Sequence, residues 1–347
     1  MKTSEKLTAL RAEMAKRHMD AYVVVTDDFH ASEYVGAHFK AREYLSGFTG
    51  SAGTLVVLPD SAALWTDGRY FLQAAQQLEG SGITLMRMGE PGVPEIADFL
   101  RGHVPESGFI GFDSRTLSNA FARAIGAKTH EKHIRFAGDE DLVDLVWADR
   151  PALSCEPVWE LDTKYAGLTR KEKLELVRGK MAELGADVFV IPALDEVAWL
   201  LNLRGGDVLY TPVFLSYLLL THDQATLCVQ KEAVSAEIEA SLRADGVTLA
   251  PYDEIYRLIA ALPEGTRVLL DECFLDFLPE SEVMSAKKLL ASPNLIILKA
   301  FTKLYGMAGV RLGYCLGSNI ALLDKMQSAG QPWAVSSLAQ AAGDRKS

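Results

Sequence analysis

The chain has 347 residues, of which 49% are hydrophobic and 23% charged, as expected of a globular protein with a sizeable core. Its formal net charge of -11 at pH 7 would repel nucleic acid and anionic membranes, so both are excluded as expected partners. No apolar run approaches the ~18 residues of a membrane helix, and the charged N-terminal stretch does not have the pattern of a leader. We therefore predict a cytoplasmic location.

An internal repeat organises the first two thirds of the chain. The segment EKLTALRAEMAKRHMDAYVV begins at Glu5, and EKLELVRGKMAELGADVFVI begins at Glu172. In both, apolar residues at helical spacing precede a strand-like stretch, which predicts a helix followed by a strand. The residues of this apolar pattern are Leu7, Leu10, Met14, Leu174, Val177, Met181 and Leu184.

Later elements follow the same alternation. TLVVL at 54–58 and AALWT at 62–66 read as strands, and a helix is predicted from Tyr70 onward. In the second repeat, strands are predicted at 213–221 and 225–230, followed by a helix at 231–246 that ends at Gly246. Beyond Asp271 the sequence predicts the strands LIILKAF and RLGYCLG and the helix IALLDKMQSAG. The fold class is α/β.

Residues 1–270 resemble the N-terminal and middle domains of cytosolic Xaa-Pro aminopeptidase P, of the creatinase-like family. The resemblance rests on SEYVGAHFKAREYLSGFTGSAGTLVV, LWTDGRYFLQA, DLVDLVWADRP and the long segment from WELDTKYAG to GGDVLYTPVF. It implies two related mixed-sheet domains of the ribonuclease H-like kind, at 1–148 and 169–270, joined by a linker at 149–168. In the family these domains help to assemble the oligomer, so a homo-oligomer is expected.

The same resemblance implies where the family's metal chemistry belongs. Its peptidases hold two divalent ions with Asp, Asp, His, Glu and Glu from a C-terminal domain. All histidines here precede Asp223, so this ligand set is missing and no metal site is predicted. His130 and His133 have a spacing compatible with one helical face, but a solvated surface turn is the favoured interpretation. The four cysteines, Cys155, Cys228, Cys273 and Cys315, have neither zinc-site nor disulfide spacing.

Residues 271–347 instead resemble class I/II aminotransferases, near threonine-phosphate decarboxylase and histidinol-phosphate aminotransferase. The resemblance rests on the segments DECFLDFLPES, NLIILKAFTKLYGMAGVRLGYCLGS and QPWAVSSLAQAAG. They imply part of the large domain of a fold-type I pyridoxal-phosphate transferase, with the two families meeting at VLLD.

This second resemblance implies a pyridoxal-phosphate site. Lys303 would be a vestigial Schiff-base lysine, Asp271 the partner of the pyridinium nitrogen, and Arg311 a phosphate ligand. Thr302 is the nearby hydroxyl, because Ala300 stands where much of the family has Ser or Thr. Phe274 stands where many members have a cofactor-binding Tyr.

A second glycine-containing stretch has to be weighed as a phosphate loop. GFTGSAG at 47–53 has the glycines of such a loop but lacks the Gly-Lys-Ser/Thr ending, so we interpret it as a structural turn.

Three functions compete. The leading hypothesis is a chimeric protein without catalytic activity, built from aminopeptidase P domains and an aminotransferase fragment. The second is a pyridoxal-phosphate transaminase or a decarboxylase similar to threonine-phosphate decarboxylase. The third is an Xaa-Pro aminopeptidase-family protein that lacks its metal site.

Overall fold

The computed structural model describes residues 1–262, 268–271, 295–300, 313–316 and 318–321. The chain forms two compact units, residues 1–154 and 155–347. The division falls inside the segment 149–168 that the sequence predicts as a linker. The predicted domain boundaries themselves stay predictions.

The first unit is a mixed sheet with helices on both faces. Its strands are β1 Ala21–Val24, β2 Thr54–Val57, β3 Ala62–Thr66, β4 Thr84–Arg87, β5 Phe109–Phe112 and β6 Arg135–Ala137. Its helices are α1 Thr3–Lys16, α2 Ala41–Ser46, α3 Phe71–Gln77, α4 Ile96–His103, α5 Asn119–Thr129 and α6 Leu142–Val146. Two short 3-10 turns lie at Ala37–Phe39 and His130–Lys132.

The central strand β1 is buried on both faces because it separates two hydrophobic clusters. Tyr22 and Val24 pack with Leu10 of α1 on one side. Ala21 and Val23 face the other side, where Leu100 of α4 is buried. This alternation is what a strand covered on both faces requires.

The order of the strands in this sheet is β4-β3-β2-β1-β5-β6. The pairings β1 with β2 and β2 with β3 are antiparallel, whereas β3 with β4, β1 with β5 and β5 with β6 are parallel. The chain therefore builds the sheet outward from β1 to one edge and then returns to the other side of β1.

The second unit contains a larger sheet and a two-stranded one. Its strands are β7 Trp159–Glu160, β8 Val188–Ile191, β9 Leu203–Arg204, β10 Ser216–Thr221, β11 Ala225–Val229, β12 Val247–Ala250, β13 Val268–Asp271, β14 Leu295–Ala300 and β15 Gly313–Leu316. Its helices are α7 Thr163–Ala166, α8 Arg170–Leu184, α9 Leu194–Leu201, α10 Ala236–Ala244 and α11 Glu254–Ala260, with a 3-10 turn at Lys231–Ala233.

The second sheet repeats the topology of the first. Its order is β12-β11-β10-β8-β13-β14-β15, and the first six strands have the same sequence of parallel and antiparallel pairings as unit 1. In this correspondence β13 and β14 take the places of β5 and β6, and β15 adds an antiparallel strand at the edge. The sheet thus continues on both sides of Asp271.

Both helices predicted from the internal repeat are present, but fewer residues of the apolar pattern are buried in the second copy. Leu7, Leu10 and Met14 are buried in α1, whereas α8 buries Leu174 and Met181 and leaves Val177 only partly buried. The helix predicted from residue 231 begins later, at Ala236, because the Ser235 hydroxyl accepts a hydrogen bond from the Ile238 amide and caps it.

Candidate functional site

The carboxyl ends of β1 and β5 form the first candidate site, in unit 1. These strands are parallel neighbours, and the chain leaves them toward opposite edges of the sheet. In open α/β sheets, ligands bind in the crevice at such a switch in strand order. Asp27 and Asp28 follow β1, and Asp113 follows β5, and the side chains of Asp27 and Asp113 line this crevice.

A cavity of about 20 Å³ lies at this position, enough for one molecule the size of water. It is bounded by the last residues of β1 and by polar side chains from several loops. The lining residues are Tyr22, Val23, Val24, Val25, Asp27, Phe39, Ala41, Asp113, Thr116, Asp141, Val143 and Arg150.

Two of the crevice carboxylates are neutralised by arginines. Arg115 contacts Asp113 through Nε at 3.0 Å and through Nη2 at 3.1 Å. Arg150 donates from Nη1 to Asp141 Oδ2 at 2.5 Å, and both side chains of this pair are nearly buried. Arg150 also donates from Nε to the His38 carbonyl at 3.0 Å. These contacts fix the walls of the crevice.

Asp27 and Asp28 differ from Asp113 and Asp141 in their pairing with cations. Among the described residues, neither is joined to a cation by a salt bridge. Burial, followed by the charge of Asp28, raises the pKa of Asp27 to about 7. Asp28 is 1% exposed, and its Oδ1 accepts from the His30 and Ser32 amides at 2.8 and 2.9 Å. Its Oδ2 is buried and has no hydrogen-bond partner.

The glycine loop 47–53 is built around a buried arginine. Arg42 is 4% exposed and donates to the Phe48 carbonyl at 2.8 Å, the Gly50 carbonyl at 2.5 Å and the Thr26 hydroxyl at 2.6 Å. Burial lowers the pKa of Arg42 to about 10. Because these loop carbonyls accept hydrogen bonds from the charged Arg42 side chain, Arg42 stabilises the loop. This agrees with the interpretation of residues 47–53 as a structural turn.

The residues predicted for pyridoxal phosphate lie mostly outside the described part of the chain. Thr302, Lys303 and Arg311 are outside the described residues. Asp271 is described only as the last residue of β13, where it pairs with Leu298 of β14. The arrangement of these four side chains therefore stays a prediction.

His130 and His133 lie on the surface. The 3-10 turn begins at His130, and His133 follows it with a φ of 51°. Both are exposed. Over the described ranges, no group of three or more His, Cys, Asp or Glu side chains is arranged to hold a metal. These residues do not fit a dinuclear centre, and no helix among them is long and apolar enough to cross a membrane.

Sequence reasoning missed the acidic crevice and Arg42. The available signal was a pair of adjacent aspartates just after AYVVV, with another aspartate after FIGF. Asp113 would have been recognised only if the two strands had been placed side by side. Nothing in the sequence around Arg42 distinguishes it from an exposed arginine.

Both units match known families. Two family models described as Creatinase/Prolidase N-terminal domain match residues 6–144 and 149–301. Each sheet-and-helix unit is therefore an α/β domain of this type, and the chain belongs to the creatinase/prolidase N-terminal domain family.

The chain is also homologous to Xaa-Pro aminopeptidase P. Aminopeptidase P2 of Arabidopsis thaliana is 41% identical over 275 residues, which are 77% of this chain and 38% of the relative. Xaa-Pro aminopeptidase 1 of Dictyostelium discoideum is 34% identical over 328 residues, covering 89% of this chain and 51% of the relative. The chain thus spans about half or less of the length of these relatives.

A solved structure supports the same relationship. The crystal structure of X-prolyl aminopeptidase from Caenorhabditis elegans superimposes with a TM-score of 0.74 and 31% identity. The match covers 86% of this chain and 50% of that one. The worm protein is described as a cytosolic enzyme with a di-nuclear active site.

These findings correct the interpretation of residues 271–347. The second family match runs to residue 301, and the alignment with the Dictyostelium relative also crosses Asp271. The physical reason is visible in the sheet, where β14 pairs with β13 in parallel and occupies the place that β6 has in unit 1. The prediction of a chimera with an aminotransferase fragment is therefore wrong.

The cofactor prediction is wrong for the same reason. The relatives are aminopeptidases, and the solved one has a di-nuclear centre, so pyridoxal phosphate and a transaminase or decarboxylase activity are overturned. The prediction that this family member has no metal site likewise conflicts with the di-nuclear relative. The alternative of an Xaa-Pro aminopeptidase-family protein agrees better with these relatives.

Replacing Gly50 with alanine tests the loop around Arg42. An added Cβ would contact the buried Phe48 ring and lie 2.9 Å from Tyr70 Cδ1, so Gly50→Ala should lower the free energy of unfolding by about 1–3 kcal/mol. Gly102→Ala is the matched control, because that Cβ would enter open space within α4 and should be neutral or stabilising by about 0.5 kcal/mol. Urea unfolding measures both changes, and equal effects would contradict the packing argument.

The raised pKa of Asp27 predicts a specific dependence of stability on pH. The stability gained from proton uptake is fully present below about pH 4 and is lost as the pH rises through about 7. Because Asp27→Asn removes this loss, the variant should gain about 1–2 kcal/mol of unfolding free energy over wild type between pH 5 and pH 8. Urea titrations at several pH values measure the difference. A difference that stays constant with pH would disprove it.

Proposed function

We propose that this chain is an aminopeptidase P-like protein, in which the two creatinase-type units recognise the peptide and do not perform the hydrolytic step. The observation that carries the proposal is the match to one half of the worm X-prolyl aminopeptidase at a TM-score of 0.74. The names of the Xaa-Pro aminopeptidase relatives indicate the substrate class, peptides with proline in the second position.

The chemistry of the described residues favours recognition over hydrolysis. A dinuclear peptidase centre needs several carboxylate and histidine ligands around each pair of ions. The described side chains do not provide such a group, so no hydrolytic step is assigned to them. They do provide buried carboxylates at the ends of β1 and β5, which are suited to cationic groups of a ligand.

Assembly and location belong to the same proposal. The family resemblance favours a homo-oligomer formed through the creatinase-type units, and the acidic net charge disfavours nucleic acid and anionic membranes. The worm relative is described as cytosolic, which favours a cytoplasmic location for this chain as well.

An Xaa-Pro hydrolysis assay tests the division of labour. The full chain, incubated with manganese and an Arg-Pro-containing peptide, should release no N-terminal residue, because the creatinase-type units are proposed to recognise the peptide and not to hydrolyse it. Release of the N-terminal residue that stops on addition of a chelator would contradict the proposal.

A further inference from the structure

The outer edge of β6 is open in unit 1. β6 is the last strand in the order of its sheet, and no described strand pairs with its outer side. The Arg135 amide donates to the Gly108 carbonyl at 2.9 Å, so Arg135 and Ala137 direct their backbone groups toward β5. Phe136 lies between them and therefore directs its N–H and C=O groups away from the sheet. Arg135 and Phe136 are both exposed.

Unit 2 shows that a further strand fits at this edge of the fold. β14 occupies the place of β6 in the repeated topology, and each pairs in parallel with the strand before it. In unit 2, β15 pairs antiparallel with the outer side of β14 over four residue pairs. The same scaffold therefore accommodates an antiparallel strand beside β6, where the backbone groups of Phe136 are available to bind it.

The charges along β6 indicate which strand would fit. The N-terminal end of the strand carries His133 and Arg135, and its C-terminal end is followed by Asp139 and Glu140. Glu140 is already paired with Arg17 at 2.7 Å. His133, Arg135 and Asp139 are exposed, and no salt bridge joins them to another described residue. Because one end is basic and the other acidic, an antiparallel copy of the same strand is complementary in charge.

A pair centred on Phe136 satisfies the backbone groups and the charges together. With a twofold axis at this residue, each Phe136 amide donates to the Phe136 carbonyl of the second copy, which gives two hydrogen bonds. The same register places Arg135 opposite Ala137 of the second copy and diagonal to its Asp139, which lies opposite His133. The basic end of each strand thus lies beside the acidic end of the other.

The same charges restrict the choice of partner. Short edge strands that carry a charge usually resist pairing with other chains, and β6 has only three residues, with Arg135 exposed on it. An unrelated edge strand leaves this charge uncompensated, whereas an identical strand supplies Asp139. Because three residues bury little surface, the association should be weak and should depend on protein concentration.

We propose that β6 pairs antiparallel with β6 of a second copy of this chain, through the backbone of Phe136 and the charges of Arg135 and Asp139. The six-stranded sheets of the two copies of unit 1 then form one continuous sheet across the twofold axis. The expectation of a homo-oligomer belongs to the proposed function, whereas the choice of this edge rests on β6 and its flanking charges.

Sedimentation velocity of the full chain, at concentrations from about 1 µM to about 500 µM, measures the association. Arg135→Glu and Asp139→Arg should each raise the dissociation constant of the dimer about tenfold, because two symmetric attractions become repulsions. The double variant carries the same charges in exchanged places and should restore the association of the wild type. Arg257→Glu makes the same charge change on the exposed surface of α11 and should leave the association unchanged.

A cross-link between two copies tests the register. In a hydrogen-bonded antiparallel pair the two Cα atoms are about 5.5 Å apart, which suits a disulfide, so Phe136→Cys should give a covalent dimer with oxidised glutathione. Arg135→Cys is the matched control, because its two copies lie out of register by two residues, too far apart to be bridged. Wild type under the same conditions gives the background from the exposed Cys155.

Cross-linking of Arg135→Cys as fast as that of Phe136→Cys, or a charge-exchanged double variant that stays dissociated, would overturn the pairing. A chain that associates equally well with every β6 variant would refute this interface and leave the homo-oligomer of the proposed function standing. A chain that stays monomeric throughout would overturn both. If Arg135→Glu does not fold, Asp139→Arg and the cross-link decide the outcome, and neither measurement depends on the peptidase assay.

Discussion

In each unit the first strand pairs in parallel with a later strand, and this pairing determines the rest of the structure. The later strand lies on the side of the first strand that is opposite its antiparallel neighbour. In unit 1 these strands are β1 and β5, and in unit 2 they are β8 and β13. The pairing requires a long crossover, which places helices over the faces of the sheet and buries the central strand on both sides. It also brings two loops together at one edge, where Asp27 and Asp113 line one cavity.

The repeated topology shows that the two sheets place different side chains at the same position of the fold. Both sheets have the same switch in strand order, so both have a crevice where side chains from two loops can converge. In unit 1 the loop after β1 buries Asp28 and part of Asp27. In unit 2 helix α9 begins at once and buries Leu194 in the corresponding place. The two units thus share the same strand order, whereas the side chains at the switch in strand order differ between them.

The local sequence pattern predicted the helices and strands of this protein better than their arrangement in the sheets. The spacing of Leu7, Leu10 and Met14 predicted α1, because a helix that covers a sheet needs one apolar face. Strand order and the placement of Asp27 and Asp113 around one cavity depend on contacts between distant segments and were not predicted. The resemblance of residues 271–347 to aminotransferases led to the wrong family. Short sequence motifs from strands and loops carry little information about the sheet to which those strands belong. β14 shows this, since it extends the second creatinase-type sheet.

Hydrogen exchange of the β14 amides tests most directly whether one topology spans the second unit. The β13 and β14 ladder should protect the amides of Leu295–Ala300 to a degree similar to those of Val188–Ile191 in β8. Protection in both strands that is lost together in denaturant would support a single sheet continuing past Asp271. Rapid exchange throughout β14 while β8 stays protected would show that the creatinase-type sheet ends before it.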